Sequence, residues 1–147
     1  WAFLDKAFGL GYSTTPERAW IRGGTPAQGF LSHLDPGKPF TEHFVGISSP
    51  WADWGFMLGM LAIGVALTLG IGMRLAAFGG AVMMTLMYLA EMPFVTLSPE
   101  SAATNPLVDY HIIYALLVIV LAVIGAGNYL GAGPAWSAKV GKNRWLI

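Results

Sequence analysis

Three apolar runs, separated by polar or turn-forming stretches, dominate the chain beyond residue 50. Trp54 to Met73 (WGFMLGMLAIGVALTLGIGM) carries no charge, and at about 1.5 Å per residue a helix over 54–73 reaches about 30 Å, the thickness of a bilayer core. Gly70-Ile71-Gly72-Met73-Arg74 then supplies a turn and one charge, and a second helix is predicted over 75–91, ending at Glu91. The two read as a tight helical hairpin. A third helix is predicted over 106–127; it opens at Asn105-Pro106, runs through HIIYALLVIVLAVIGAG and closes where Gly125, Gly127, Gly131 and Gly133 gather beside Pro134. Trp1-Ala2-Phe3-Leu4 leading into Asp5-Lys6 reads as the tail of a further span, so residues 1–10 are expected to end a first helix whose start is missing.

The stretch 12–50 is polar and too long for a plain connection, which points to structure of its own. Thr15-Pro16-Glu17, Thr25-Pro26 and Ser49-Pro50 each place a capping hydroxyl before a proline at the first helical position. Ser98-Pro99 and Asn105-Pro106 repeat the pattern, and all five starts fall on one side of the predicted spans. A cap of short helices is expected there.

Composition agrees with the pattern. Of 147 residues 55% are hydrophobic and 11% charged, and mean hydropathy is +0.59, whereas a soluble domain carries about a quarter of its residues as charged ones. The fold class expected is an all-α integral membrane protein: a four-helix transmembrane bundle, its first helix only partly present, with membrane lipid as its surroundings. Lys plus Arg and Asp plus Glu both number eight, with no basic run, which argues against nucleic acid as a partner. There is no cysteine, so thiolate chemistry, disulfides and iron–sulfur ligation are excluded within this chain. No covalent haem attachment is expected either.

Charge also sets an orientation. Arg74, Lys139, Lys142 and Arg144 lie on the turn-and-tail side with no acid, while all eight acids share the other side with Lys6, Arg18, Arg22 and Lys38. The excess of Lys and Arg marks the cytoplasmic face. The expectation is a multi-pass protein of the cell membrane with a cytoplasmic C-terminal tail (128–147) and an extracytoplasmic cap. Trp51 and Trp54 at one level and Trp136 and Trp145 at the other fit interfacial aromatic belts.

The candidate chemistry gathers at the outer level. Glu91 ends the second run as an ionisable group at a span terminus, either snorkelling to headgroups or exchanging protons in a cavity. Tyr88 lies one turn earlier on the same face as its hydrogen-bond partner. In Asn105-Pro106-Leu107-Val108-Asp109-Tyr110-His111, Asn105 reads as the helix cap and Asp109 as an acid of the first turns. His111 shares a face with Tyr114 and is either an interhelical hydrogen bond or a donor to a quinone carbonyl. Asp109 and His111, two apart in a helix, are expected to face different ways and not to pair directly. His33 and His43 sit in the polar loop with no ligand-like spacing, and no metal is expected. Glu91, Asp109 and His111 are thus the catalytic candidates, and Tyr88, Tyr114 and His111 the candidates for holding a quinone.

The ordering resembles the DoxX family of prokaryotic membrane proteins, in particular its DoxD-like branch. It rests on Trp1-Ala2-Phe3-Leu4-Asp5-Lys6 leading to Gly9-Leu10-Gly11-Tyr12, on Ala19-Trp20-Ile21 with Gly23-Gly24, on GVALTLGIGMR over 64–74, and on Asn105-Pro106 with Asp109-Tyr110-His111-Ile112-Ile113-Tyr114-Ala115. The resemblance implies a prokaryotic four-helix membrane subunit that works with a redox enzyme, passing electrons from reduced sulfur or thiol donors to the quinone pool, as in thiosulfate:quinone oxidoreductase. The alternative from the residues alone is a non-catalytic accessory subunit among the other chains of a larger membrane electron-transport complex.

Overall fold

The computed structural model describes residues 1–92 and 107–147, the side chain of Arg144 excepted. The helix starts expected at Ser98-Pro99 and Asn105-Pro106, and with them Glu100, lie outside the described residues. Every regular element described is helical, and two helices are long and apolar enough to cross a membrane. The chain divides into two compact units, Trp1–Leu61 and Ala62–Ile147.

In the first unit, α1 (Ala2–Phe8) stops at Gly9, whose φ of 64° is left-handed. Glycine is required there twice over, since a Cβ would also lie 2.6 Å from the Pro16 Cα. Beyond it the chain folds back onto Asp5. That side chain is buried and accepts the N–H groups of Tyr12 and Ser13, both at 3.0 Å, and the Ser13 hydroxyl at 2.8 Å.

The stretch 12–50 holds short helices: two 3₁₀ turns, Pro16–Arg18 and Trp20–Arg22, then α2 (Pro26–Ser32) and α3 (Thr41–Gly46). Pro16, Pro26 and Pro50 each open a helix, yet the Thr15 and Thr25 hydroxyls make no capping bond. The donors at the start of α2 go to a distant acceptor. Asp53, buried near the start of α4 (Pro50–Leu69), accepts the N–H of Ala27 at 2.7 Å, the N–H of Gln28 at 3.2 Å and the Gln28 side-chain amide. A carboxylate is a stronger acceptor than a hydroxyl, and a buried one needs donors. Ser49 does act as a cap, its hydroxyl accepting the Ala52 N–H at 3.3 Å.

The second unit takes in the later part of α4, a turn, α5 (Met73–Glu91), α6 (Tyr110–Val123), α7 (Gly127–Leu130), α8 (Gly133–Val140) and a 3₁₀ turn at Arg144–Leu146. The boundaries follow local chemistry more than the edges of the apolar runs. α4 starts at Pro50, ahead of the run at Trp54, and stops at Leu69 because Gly70 and Gly72 take left-handed φ values of 67° and 57°. α6 has 14 residues against the 106–127 expected from the sequence; at about 1.5 Å per residue it rises about 21 Å. Asp109 caps its start, and Gly125, with φ 65°, follows its end.

The extensive helix pair is α5 with α6. Gly80 permits it: a Cβ there would stand 3.4 Å from Val118 Cγ2 of α6. The tight α4–α5 hairpin expected from the sequence is a looser contact, made through Ile63 against Gly79 and Gly80. Small buried residues set which pair comes close, and Ala76, Ala77 and Gly80 all lie on α5. On α4, Gly55 meets nothing within 4 Å.

The glycines that read as helix terminators do more than stop α6. A Cβ on Gly127 would stand 2.1 Å from the Gly70 carbonyl oxygen, one on Gly131 2.7 Å from that of Leu69, and one on Gly133 2.6 Å from that of Gly127. The Ala132 N–H donates to the Leu69 carbonyl at 2.8 Å. Backbone therefore crosses backbone at the turn between α4 and α5. The tail returns to the same end, with the Trp136 indole donating to the Leu146 carbonyl and the Arg74 N–H to the Ile147 carbonyl at 3.2 Å.

Apolar side chains spaced three and four apart stay exposed: Leu58, Leu61 and Val65 on α4, Leu75, Phe78, Val82 and Leu86 on α5, Ile113, Leu116, Leu117 and Val120 on α6. Only 11% of the most apolar stretch of α4 and 28% of that of α5 is buried.

Gly127→Ala is expected to destabilise the detergent-solubilised chain by about 1–3 kcal/mol, the usual range for overpacking. Gly55→Ala, in open space within a helix, should be neutral or stabilise by up to about 1 kcal/mol. Thermal unfolding distinguishes them, and equal shifts would refute the crossing. Asp53→Ala should cost about 1–3 kcal/mol by leaving the α2 donors unpaired, seen as faster amide exchange at Ala27 and Gln28; unchanged exchange there would show that the cap is not Asp53.

Candidate functional site

The C-terminal end of α5 and the N-terminal end of α6 meet where the Tyr88 hydroxyl donates to the Leu107 carbonyl at 2.9 Å. The sequence pairs Tyr88 with Glu91; the structure instead sends this hydroxyl to the backbone leading into α6.

Asp109 organises the start of α6. Its backbone is extended, with φ −112° and ψ −176°, so it stands just outside the helix as the N-cap. Its Oδ1 accepts the N–H groups of His111 at 3.0 Å and Ile112 at 3.3 Å, and its Oδ2 lies 2.7 Å from His111 Nδ1. The expectation that Asp109 and His111 cannot pair is overturned. It assumed helical phase at both residues, whereas an extended cap residue turns its carboxylate back over the first turn and spans amides and imidazole together. The cap is also Asp109 where the sequence expects Asn105: residues 107–109 are not helical, and Asn105 itself lies outside the described residues.

The pair is dry. His111 is 0% exposed and the Asp109 side chain 7%. A carboxylate can only accept, so Nδ1 carries the proton, and in the neutral imidazole Nε2 then presents a lone pair. That Nε2 is buried and has no hydrogen-bond partner among the described residues. A buried polar atom left so costs about 1–3 kcal/mol.

An aromatic wall stands beside it. The Tyr110 ring lies 4.0 Å from the imidazole, centroid to centroid, at 34°. Tyr114, which the sequence places on the face of His111, meets Tyr110 edge-on at 6.1 Å, and both rings are about half exposed. Tyr110 is the residue that sequence reasoning misses; its signal is an aromatic at the first helical position, directly before a buried histidine. Glu91 completes the group, for one donor atom each of Glu91, Asp109 and His111 lies within 4.8 Å of the others. The three catalytic candidates thus come together, with Tyr88 at the α5–α6 junction and Tyr114 behind Tyr110.

The other polar features belong to the first unit. His33 and His43 are exposed, and the His33 Nδ1–H donates to the Gly29 carbonyl at 2.7 Å. An open hollow of 470 Å³ there is lined by Trp20, Gln28, Asp53 and Trp54 among others, Trp20 and Trp54 meeting edge-on at 4.8 Å. Its one carboxylate is already engaged as the cap of α2. The hollow is mostly apolar.

No protein-family model, curated protein or solved structure matches the chain.

Asp109→Ala is expected to cost about 0.5–2 kcal/mol through the lost cap alone and to speed amide exchange at His111 and Ile112, whereas Asp109→Asn keeps an acceptor oxygen and should leave those amides slow. Equal protection in the alanine variant would remove Asp109 as the cap.

Proposed function

We propose that the chain is a membrane subunit of a quinone-linked oxidoreductase of the DoxX kind, serving electron transfer from reduced sulfur or thiol donors to quinone together with a partner enzyme. The observation that carries this reading is the buried Asp109–His111 pair with an unpartnered Nε2, set beside an aromatic ring at the ends of two apolar helices. The exposed apolar faces of α4, α5 and α6 support immersion in lipid. On this reading α1 ends a first span, α6 is the core of a fourth, and the short helices of 12–50 cap the extracytoplasmic side with the tail in the cytoplasm.

A quinone bound here supplies two-electron, two-proton chemistry, the electrons coming from the partner. The residues of this chain hold it and move protons. His111 Nε2, when protonated, donates to a carbonyl oxygen; when neutral, it takes the proton of a hydroxyl. The Asp109 carboxylate fixes the ring and stabilises the imidazolium, so the proton rests on Nε2 without leaving a lone buried charge. Glu91 exchanges that proton with the outer aqueous phase, and Tyr110 offers a flat apolar surface to the headgroup.

The accessory-subunit reading draws on the same exposed faces, which would then be covered by neighbouring chains, with Glu91, Asp109 and His111 tying helix ends together. The two readings part on one experiment. In membranes assayed for donor-dependent quinone reduction, His111→Gln and Glu91→Gln should each lower turnover about 10²-fold or more, the usual contribution of a positioned acid or base, with chain and partner levels unchanged. Full turnover in both variants would leave the accessory reading.

A further inference from the structure

Glu91, Asp109 and His111 form more than a proton path: we infer that they form a binding site for a first-row divalent cation of the zinc type, held directly by His111 Nε2 and Glu91 and oriented by Asp109. The inference is independent of the quinone reading.

It rests first on the ring. A histidine that ligates a metal through one nitrogen characteristically donates its other N–H to a carboxylate, which fixes the tautomer and raises the basicity of the ligating atom. His111 has this arrangement, with Nδ1 held by Asp109 Oδ2 at 2.7 Å and the lone pair of Nε2 buried and unmatched. Asp109 is in turn pinned by two backbone N–H groups, so the carboxylate that orients the imidazole is itself fixed at the start of α6.

The second support is proximity. One donor atom from each of the three residues lies within 4.8 Å of those of the other two. Two ligand atoms of a tetrahedral cation, each at about 2.1 Å, stand about 3.4 Å apart. Closing the group on an ion therefore takes a side-chain movement on the order of 1–2 Å, which a change of rotamer at Glu91, at the end of α5, supplies.

The third is ligand type. One imidazole nitrogen with carboxylate oxygen suits zinc and its first-row neighbours, whereas calcium and magnesium prefer all-oxygen sites. Two protein ligands leave the remaining positions to water or to an incoming molecule, the open sphere of a site that exchanges its ligands. The cation and a quinone oxygen would compete for the same nitrogen.

The test is direct binding by the full chain in mild detergent, in a background carrying His33→Ala and His43→Ala so that the loop histidines do not contribute. Equilibrium dialysis against Zn²⁺ with elemental analysis should give one ion per chain, and Co²⁺ in its place should show the visible absorption of a nitrogen- and oxygen-ligated ion. His111→Gln should abolish binding. Glu91→Gln, at the end of α5, tests the site without touching the start of α6 and should weaken binding at least tenfold. Asp109→Asn should weaken it 10–100-fold. Binding that is absent in the background chain, or unchanged in the Glu91 and His111 variants, overturns the cation site. Such a result leaves the quinone reading standing, because that reading is judged by turnover.

Discussion

Backbone N–H groups that face no carbonyl must find an acceptor before the apolar helices of this chain can pack, and three aspartates supply it. Asp5 gathers the N–H groups of the turn after α1, Asp53 those that open α2, and Asp109 those that open α6. In each case one carboxylate takes two backbone donors and a side-chain donor, which compensates its own removal from water. The orientation of His111 is a by-product of this requirement: the oxygen left over at a helix cap is the one that holds the imidazole.

The helices were the legible part of the sequence. Charge-free runs with small residues announce α4 and α5, and proline after serine or threonine announces where short helices begin. The acceptors were not legible. Thr25 looks like the cap of α2, but the acceptor is Asp53, which a local rule cannot see because it comes from a different helix.

The site was legible in its membership and not in its geometry. Glu91, Asp109 and His111 stand out in the sequence as ionisable groups at the ends of apolar runs, and they do assemble. Their pairing was hidden because helical phase was extended back to residue 106, ahead of the start of α6 at Tyr110; an aspartate just outside a helix obeys cap geometry, and Asp-x-His is then a contact spacing. Tyr110 was hidden for the same reason: with the helix start misplaced, its position as the first helical residue, directly before the buried histidine, did not stand out.

The crossing of Gly70 with Gly127 and Gly131 bears on how the unit is held together. Its partners are far apart in the sequence and touch through main chain alone, so nothing local draws them together. Such a contact depends on α5 and α6 to place its two ends, and it leaves no room for a methyl group between the two main chains. It acts as a latch on the unit: buried main chain ties the turn between α4 and α5 to the segment that follows α6.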